Sequence, residues 1–104
     1  MIEILAAPAY NPRIIERHLD DTHCKPKHVI IMELPRADAW GAQLNDTLYF
    51  SPNIPPYALK HVVYHEVGHL CLHQHDLPNN EQNAEAYADF MYGMYVPFFG
   101  FLNE

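Results

Sequence analysis

Basic residues are scarce in this chain: six Lys and Arg stand against thirteen Asp and Glu among 104 residues, for a net charge of -7. Nucleic acid recognition needs a basic stripe, and an anionic membrane surface asks for the same, so neither is an expected partner. Cysteine is nearly absent, with only Cys24 and Cys71. Two cysteines make no disulfide framework, so the expectation is reduced thiols in a cytoplasmic protein, with Cys24 a free loop thiol. No apolar run approaches the roughly 18 residues that a membrane span requires. Met1-Ile2-Glu3-Ile4-Leu5 lacks a basic leader region, so no signal peptide is expected either. Repeats and low-complexity tracts are missing too. What is left is a single domain over residues 1–104, 49% apolar and 18% charged, which is the composition of a globular chain with one core.

Asn11-Pro12 pairs a capping side chain with proline at the first helical position, predicting a helix to about Asp20 with Ile14, Ile15 and Leu19 inward. Residues 27–34 are a β-branched run ending at Pro35, apolar on both faces, and so a central strand. Residues 39–44 and 47–51 flank Asn45-Asp46, a pair that tolerates positive φ, and predict a hairpin. Pro56 opens a long helix to His73 or His75. Asp76 to Asn80 is a turn with Asn79 or Asn80 as cap, and a last helix runs from Glu81 to about Tyr95.

Within the long helix lies His65-Glu66-Val67-Gly68-His69. Two histidines four apart on a helix are separated by about 40° and about 6 Å, so both rings can reach one ion. Glu66 points about 100° away, off the line of the ligands, where a carboxylate can take a proton from water. His65 and His69 are therefore expected as ligands of Zn2+ and Glu66 as the general base. His61 and His73 continue the file at the same spacing and read as flanking polar residues. Gly68 costs about 1 kcal/mol relative to Ala in a helix interior, which suggests close approach of another backbone.

Two helices joined by a short turn place residues equidistant from its centre at one height. With the centre near Leu77, His69 is level with Glu85 and His65 with Asp89. Glu85 is then the expected third ligand, and Asp89 the carboxylate orienting a ligand imidazole through its other nitrogen. Glu81 and His75 are the alternatives. His75 would complete H-E-x-x-H-x-x-L-x-x-H, where Leu72 replaces the glycine that lets such a chain turn back.

With His65-Glu66-Val67-Gly68-His69 followed by Glu85-Ala86-Tyr87-Ala88-Asp89, the sequence resembles the gluzincin metallopeptidases, whose pattern is H-E-x-G-H and then E-x-x-A-D. It looks most like the soluble minigluzincins, minimal versions of the catalytic domains of CAAX prenyl-type membrane peptidases. It is also similar to the zinc peptidase domains of phage and mobile-element regulators. The resemblance covers roughly residues 40 to 97. It implies zinc ligation by His65, His69 and Glu85, Glu66 as base and Asp89 as support. It also implies a rim strand, matched by Thr47 to Ser51, on which a peptide substrate could pair. Latency through a terminal segment, known in that family, singles out Phe98 to Leu102; packing in the core or in a homodimer is the plainer reading of that tail. Tyr92 and Tyr95 are the candidates for stabilising an oxyanion.

The expected fold is α+β and zincin-like: a small sheet with a β-hairpin, an N-terminal helix and a zinc-binding helical hairpin. The expected function is a zinc-dependent endopeptidase acting on a peptide or protein substrate. The alternatives are a zinc-bearing regulatory or interaction protein that cleaves nothing, and a structural metal site closed by a fourth ligand such as His61, His73 or Cys24.

Overall fold

Proline and asparagine set most of the element boundaries in the computed structural model, which describes residues 2–36, 38–94, 96 and 99. Strand β1 is Ile2–Ile4 and helix α1 is Pro12–Asp20, with the Asn11 side chain accepting from the Arg13 N–H and Pro12 at the first position. Ile15 and Leu19 are its buried residues. Strand β2 is His28–Ile31, and β3 (Gly41–Leu44) and β4 (Thr47–Phe50) form the hairpin around Asn45, whose φ is 53°. Helix α2 is Pro56–Gln74 and α3 is Glu81–Met91, capped by the Asn80 side chain on the Asn83 N–H.

The result is an α+β molecule with three helices and a four-stranded mixed sheet in the order β1-β2-β4-β3. β1, β2 and β4 run parallel, and β3 is antiparallel to β4. β2 is central, as its two-sided apolarity suggests. β4 is interior too, so the strand expected to form a free rim, Thr47 to Ser51, is flanked on both sides; the free edge next to α2 belongs to β3. Val29, Ile31, Leu48 and Phe50 are buried in the common core. Burying side chains of this kind contributes about 1.5–3 kcal/mol each. Ten of the 19 residues of α2 are buried and they lie all around it, so this helix is the centre of the molecule and not an amphipathic cover. α1, α3, β3 and β4 all pack on it.

Gly68 meets its expected neighbour: a Cβ there would lie 2.6 Å from the Ala84 carbonyl oxygen and 2.9 Å from the Ala84 Cα. The missing side chain brings α3 against α2. Both helices end alike. Asp76 (φ 55°) follows α2 with Leu77 N–H donating to Leu72 O (2.9 Å), and Gly93 (φ 89°) follows α3 with Met94 N–H donating to Asp89 O (3.1 Å). In each, a left-handed residue turns the chain back over the last helical turn. Gly93 thus stops α3 earlier than the expected Tyr95, which itself lies outside the described residues.

One further expectation changes. Cys24 and Cys71 are not free thiols but a disulfide, their Cα atoms 5.5 Å apart. They are 47 residues apart in sequence, and only the packing of the α1–β2 loop on the buried side of α2 brings them together. The cytoplasmic expectation, which leaned on reduced thiols, loses that support, and Cys24 is no longer free to ligate a metal. Of the terminal tail, Phe99 is fully buried with its ring 5.2 Å from that of Tyr87 and 6.3 Å from that of Phe90. The other residues from Phe98 to Leu102 lie outside the described residues. No described helix is long and apolar enough to cross a membrane.

Candidate metal centre

His65 and His69 project from α2 toward the start of α3, with ring centroids 5.0 Å apart. Glu81, the first residue of α3, reaches both: His65 Nε2 is 3.0 Å from its Oε1, and His69 Nε2 is 2.7 Å from its Oε2. One donor atom from each of the three lies within 4.8 Å of the others, so His65, His69 and Glu81 could hold a metal ion. They are the one such group among the described residues.

Glu85, expected beside the two histidines as third ligand, takes a different place. Its Oε1 is 2.8 Å from His65 Nδ1, and its Oε2 is 2.9 Å from His61 Nε2. The pairings His65 with Glu85 and His69 with Glu81 put the midpoint of the helical hairpin at residue 75, not 77. The left-handed Asp76 is the reason: it ends α2 early and the extended residues after it lead directly back. A midpoint moved by two residues moves every partner by four, or one helical turn. Asp89 is accordingly displaced from the level of His65 and is hydrogen-bonded to neither ligand ring. Its described contacts are backbone ones, its carbonyl accepting from the Tyr92 and Met94 N–H groups.

The far nitrogen of each ring has its own partner. His65 has a carboxylate on each ring nitrogen, Glu85 on Nδ1 at 2.8 Å and Glu81 on Nε2 at 3.0 Å. An ionised carboxylate only accepts, so without a cation both compete for ring protons, and with a cation on Nε2 the proton stays on Nδ1. His69 Nδ1 faces Asn79 Oδ1 at 2.6 Å. Both Nε2 atoms face Glu81, where a cation would take the place of the shared protons, and each ring has an acceptor behind its Nδ1, the arrangement usual for metal-bound histidine. Neutral imidazole and carboxylate are the donor types that zinc accepts, and three protein donors with one side open are the number found in catalytic zinc sites.

Electrostatics follow the same wiring. Burial alone would lower the His65 pKa, but the carboxylates of Glu85, Glu66 and Glu81 outweigh it and the net shift is upward. Burial acts to raise Glu81 and Glu85, yet hydrogen bonds and charge from the facing histidines carry both below the usual carboxylate value. Glu66 behaves in the opposite way. It is 7% exposed, and burial pushes it up to about 7, with His69 and His65 pulling down only in part and Glu81 adding to the rise.

Glu66 lies under β3. A Cβ at Gly41 would be 2.7 Å from its Cγ and 3.0 Å from its Oε2, so any larger residue there would push the carboxylate from its observed place. Beside it opens a cleft of about 540 Å³, lined on the helical side by His61, Val62, His65, His69 and Glu81 and on the strand side by Arg36, Trp40, Gly41 and Gln43. Tyr92 does not line it; its ring stacks 5.9 Å from His61 and meets Tyr64 edge-on. Tyr95 lies outside the described residues. His73 is exposed, and neither it nor His75, the cap of α2, belongs to the donor group. Gly41, Gln43 and Asn79 escaped the sequence reading. The hairpin that carries the first two was legible, but not that its first strand would be the edge laid over Glu66.

No protein-family profile, curated protein or solved structure matches the chain. The functional argument therefore stands on the site itself.

Proposed function

We propose that the chain is a zincin-like, zinc-dependent endopeptidase related in design to the gluzincins, with His65, His69 and Glu81 as ligands and Glu66 as general base. The observation that carries this reading is the pairing of two unlike features in one cleft. One is a donor group in which two imidazoles and the Glu81 carboxylate converge, each ring with an acceptor behind its Nδ1. The other is a buried carboxylate poised near pH 7 that belongs to no ligand set. A plain His–Glu ion-pair cluster on a surface has no need of the second.

Zinc, when bound, would supply Lewis acidity toward the substrate carbonyl and toward water. The chain's own residues do the rest. Glu66 takes the proton of the attacking water and returns it to the departing amine, work for which a pKa close to the working pH is best suited. Glu85 and Asn79 accept from the Nδ1 atoms of the ligand rings and so would keep the protons there when a cation occupies the Nε2 side. β3 offers the substrate a backbone to pair with: since Ser51 N–H donates to Trp40 O and the hairpin register alternates, the Gly41 and Gln43 amide groups point away from β4 toward the cleft. An extended peptide pairing there would run past Glu66 and the donor group.

Metal analysis of the purified protein, joined to digestion of a peptide library, tests the proposal. The parent should contain about one zinc per chain and cleave peptides, while Glu66→Gln should keep the zinc and lose about 10²–10⁴-fold in turnover. Zinc retained by a parent that cleaves nothing would assign the site to a regulatory role instead.

A further inference from the structure

Each ligand histidine needs Nε2 free of hydrogen, although a neutral imidazole in water favours the proton on that same nitrogen. For His65 the group behind the ring is a carboxylate, which only accepts and so holds the proton on Nδ1 once a cation stands between Nε2 and Glu81. For His69 the facing group is an amide, and an amide can present either its oxygen or its NH2 to the ring. The choice is made farther away. Gln43 Nε2 donates to the Asn45 carbonyl oxygen at 2.6 Å, and a carbonyl can only accept, so the Gln43 NH2 is turned to the hairpin and its Oε1 outward. That oxygen accepts from Asn79 Nδ2 at 3.0 Å, which turns Asn79 Oδ1 to His69 Nδ1 at 2.6 Å. Each link leaves the next only one orientation, and the one competitor for the ring proton is Glu81 Oε2, 2.7 Å from His69 Nε2, which a cation would displace from that role.

We infer that Gln43 and Asn79 are positioning residues for His69: a relay of hydrogen-bond polarity, starting at the Asn45 carbonyl in the β3–β4 turn, fixes the tautomer that frees His69 Nε2 for a cation. The purpose of the relay rests on the zinc reading above, but its existence does not. The relay also spans both sides of the cleft, so the strand on which a substrate would pair is wired to one ligand through side chains alone.

The test begins with metal-free Glu81→Ala, in which no carboxylate faces His69 Nε2, by long-range 15N–1H correlation spectroscopy of the histidine rings at a pH where they are neutral. This protein should show His69 protonated on Nδ1, and adding Asn79→Ala should return it to the Nε2 form. Zinc competition with a chromophoric chelator should then show Asn79→Ala weakened about 10–100-fold, the loss expected when the outer partner of a ligand is removed. Asn79→Asp, which keeps an acceptor on the ring, should restore most of it. Should Asn79→Ala fail to fold, Gln43→Ala reads the same relay from its other end and should shift the tautomer ratio in the same direction. An Nε2-protonated His69 in metal-free Glu81→Ala, or equal zinc affinity in the parent and in Asn79→Ala, overturns the inference. A parent that binds no zinc overturns the function proposed above, and the ring spectra still decide the relay.

Discussion

The two walls of the cleft are built on different principles. The helical wall is side-chain chemistry: His61, His65 and His69 on α2 meet Glu81 and Glu85 on α3, and the helices are drawn together where Gly68 has no Cβ to hold Ala84 away. The strand wall is backbone and gaps: β3 contributes the space at Gly41, two outward-facing peptide groups, and the amide of Gln43. Chemistry concentrated on one wall and room on the other is an arrangement in which a substrate can be held by hydrogen bonds indifferent to its side chains.

The sharpest way to probe the contrast is Glu66, which belongs to one wall and is buried by the other. Its pKa in the metal-free fold lies near 7 against an ordinary 4.5, so the neutral form is the one the fold accommodates. The stability this represents is present below the ordinary carboxylate range and is lost as pH rises through about 7. The displacement corresponds to about 3 kcal/mol. Metal-free Glu66→Gln should therefore exceed the parent by about that much in urea denaturation at pH 8, and by almost nothing at pH 4. Parallel stability profiles would mean that the carboxylate is solvated and β3 does not cover it.

Next in size is the division of labour between the two acids of α3. On the proposed function Glu81→Ala should lower zinc affinity by more than about 100-fold, and Glu85→Ala by about 10–100-fold, since there the one would contribute a donor atom and the other would only hold His65. The reverse order in a chelator competition would give Glu85 the ligand's place that the sequence pattern implies. Gly68→Ala should then cost about 1–3 kcal/mol in thermal or chemical unfolding, because overpacking against the Ala84 backbone outweighs the roughly 1 kcal/mol gained in helix propensity. Gly41→Ala is the mildest for stability, at about 1 kcal/mol or less, because its clash is with a side chain that can move. On the proposed function its effect should fall on turnover, with zinc affinity little changed, a combination that would tie Gly41 to Glu66 and not to the donor group.

What could be read from the amino acids divides along the same line. Local signals were sufficient for α1 through Asn11-Pro12, for the hairpin through Asn45-Asp46, for α2 from Pro56, and for the two histidines and Glu66, because each depends on residues a few positions apart. The relations between elements were not. Asp76 adopts a left-handed conformation that a non-glycine residue rarely takes, and this one dihedral set which turn of α3 faces His69. The pairing of Cys24 with Cys71 and the edge position of β3 depend on the order of strands, which no spacing within a single segment encodes. Asn79 looked like an ordinary turn residue, and its part in the site exists only because Gln43 lies across from it.

The Cys24–Cys71 cross-link has a mechanical consequence. The covalent ring it closes contains β2, β3, β4 and most of α2, including His65, Glu66 and His69, while α3 and Glu81 hang outside it by the single connection of residues 75–80. A protease cutting at the Asn45-Asp46 tip would leave a two-piece molecule that migrates as one until a reductant is added. A cut beyond Asp76 would leave α3 held by noncovalent packing alone, so the third donor is the part of the centre with the weakest tether.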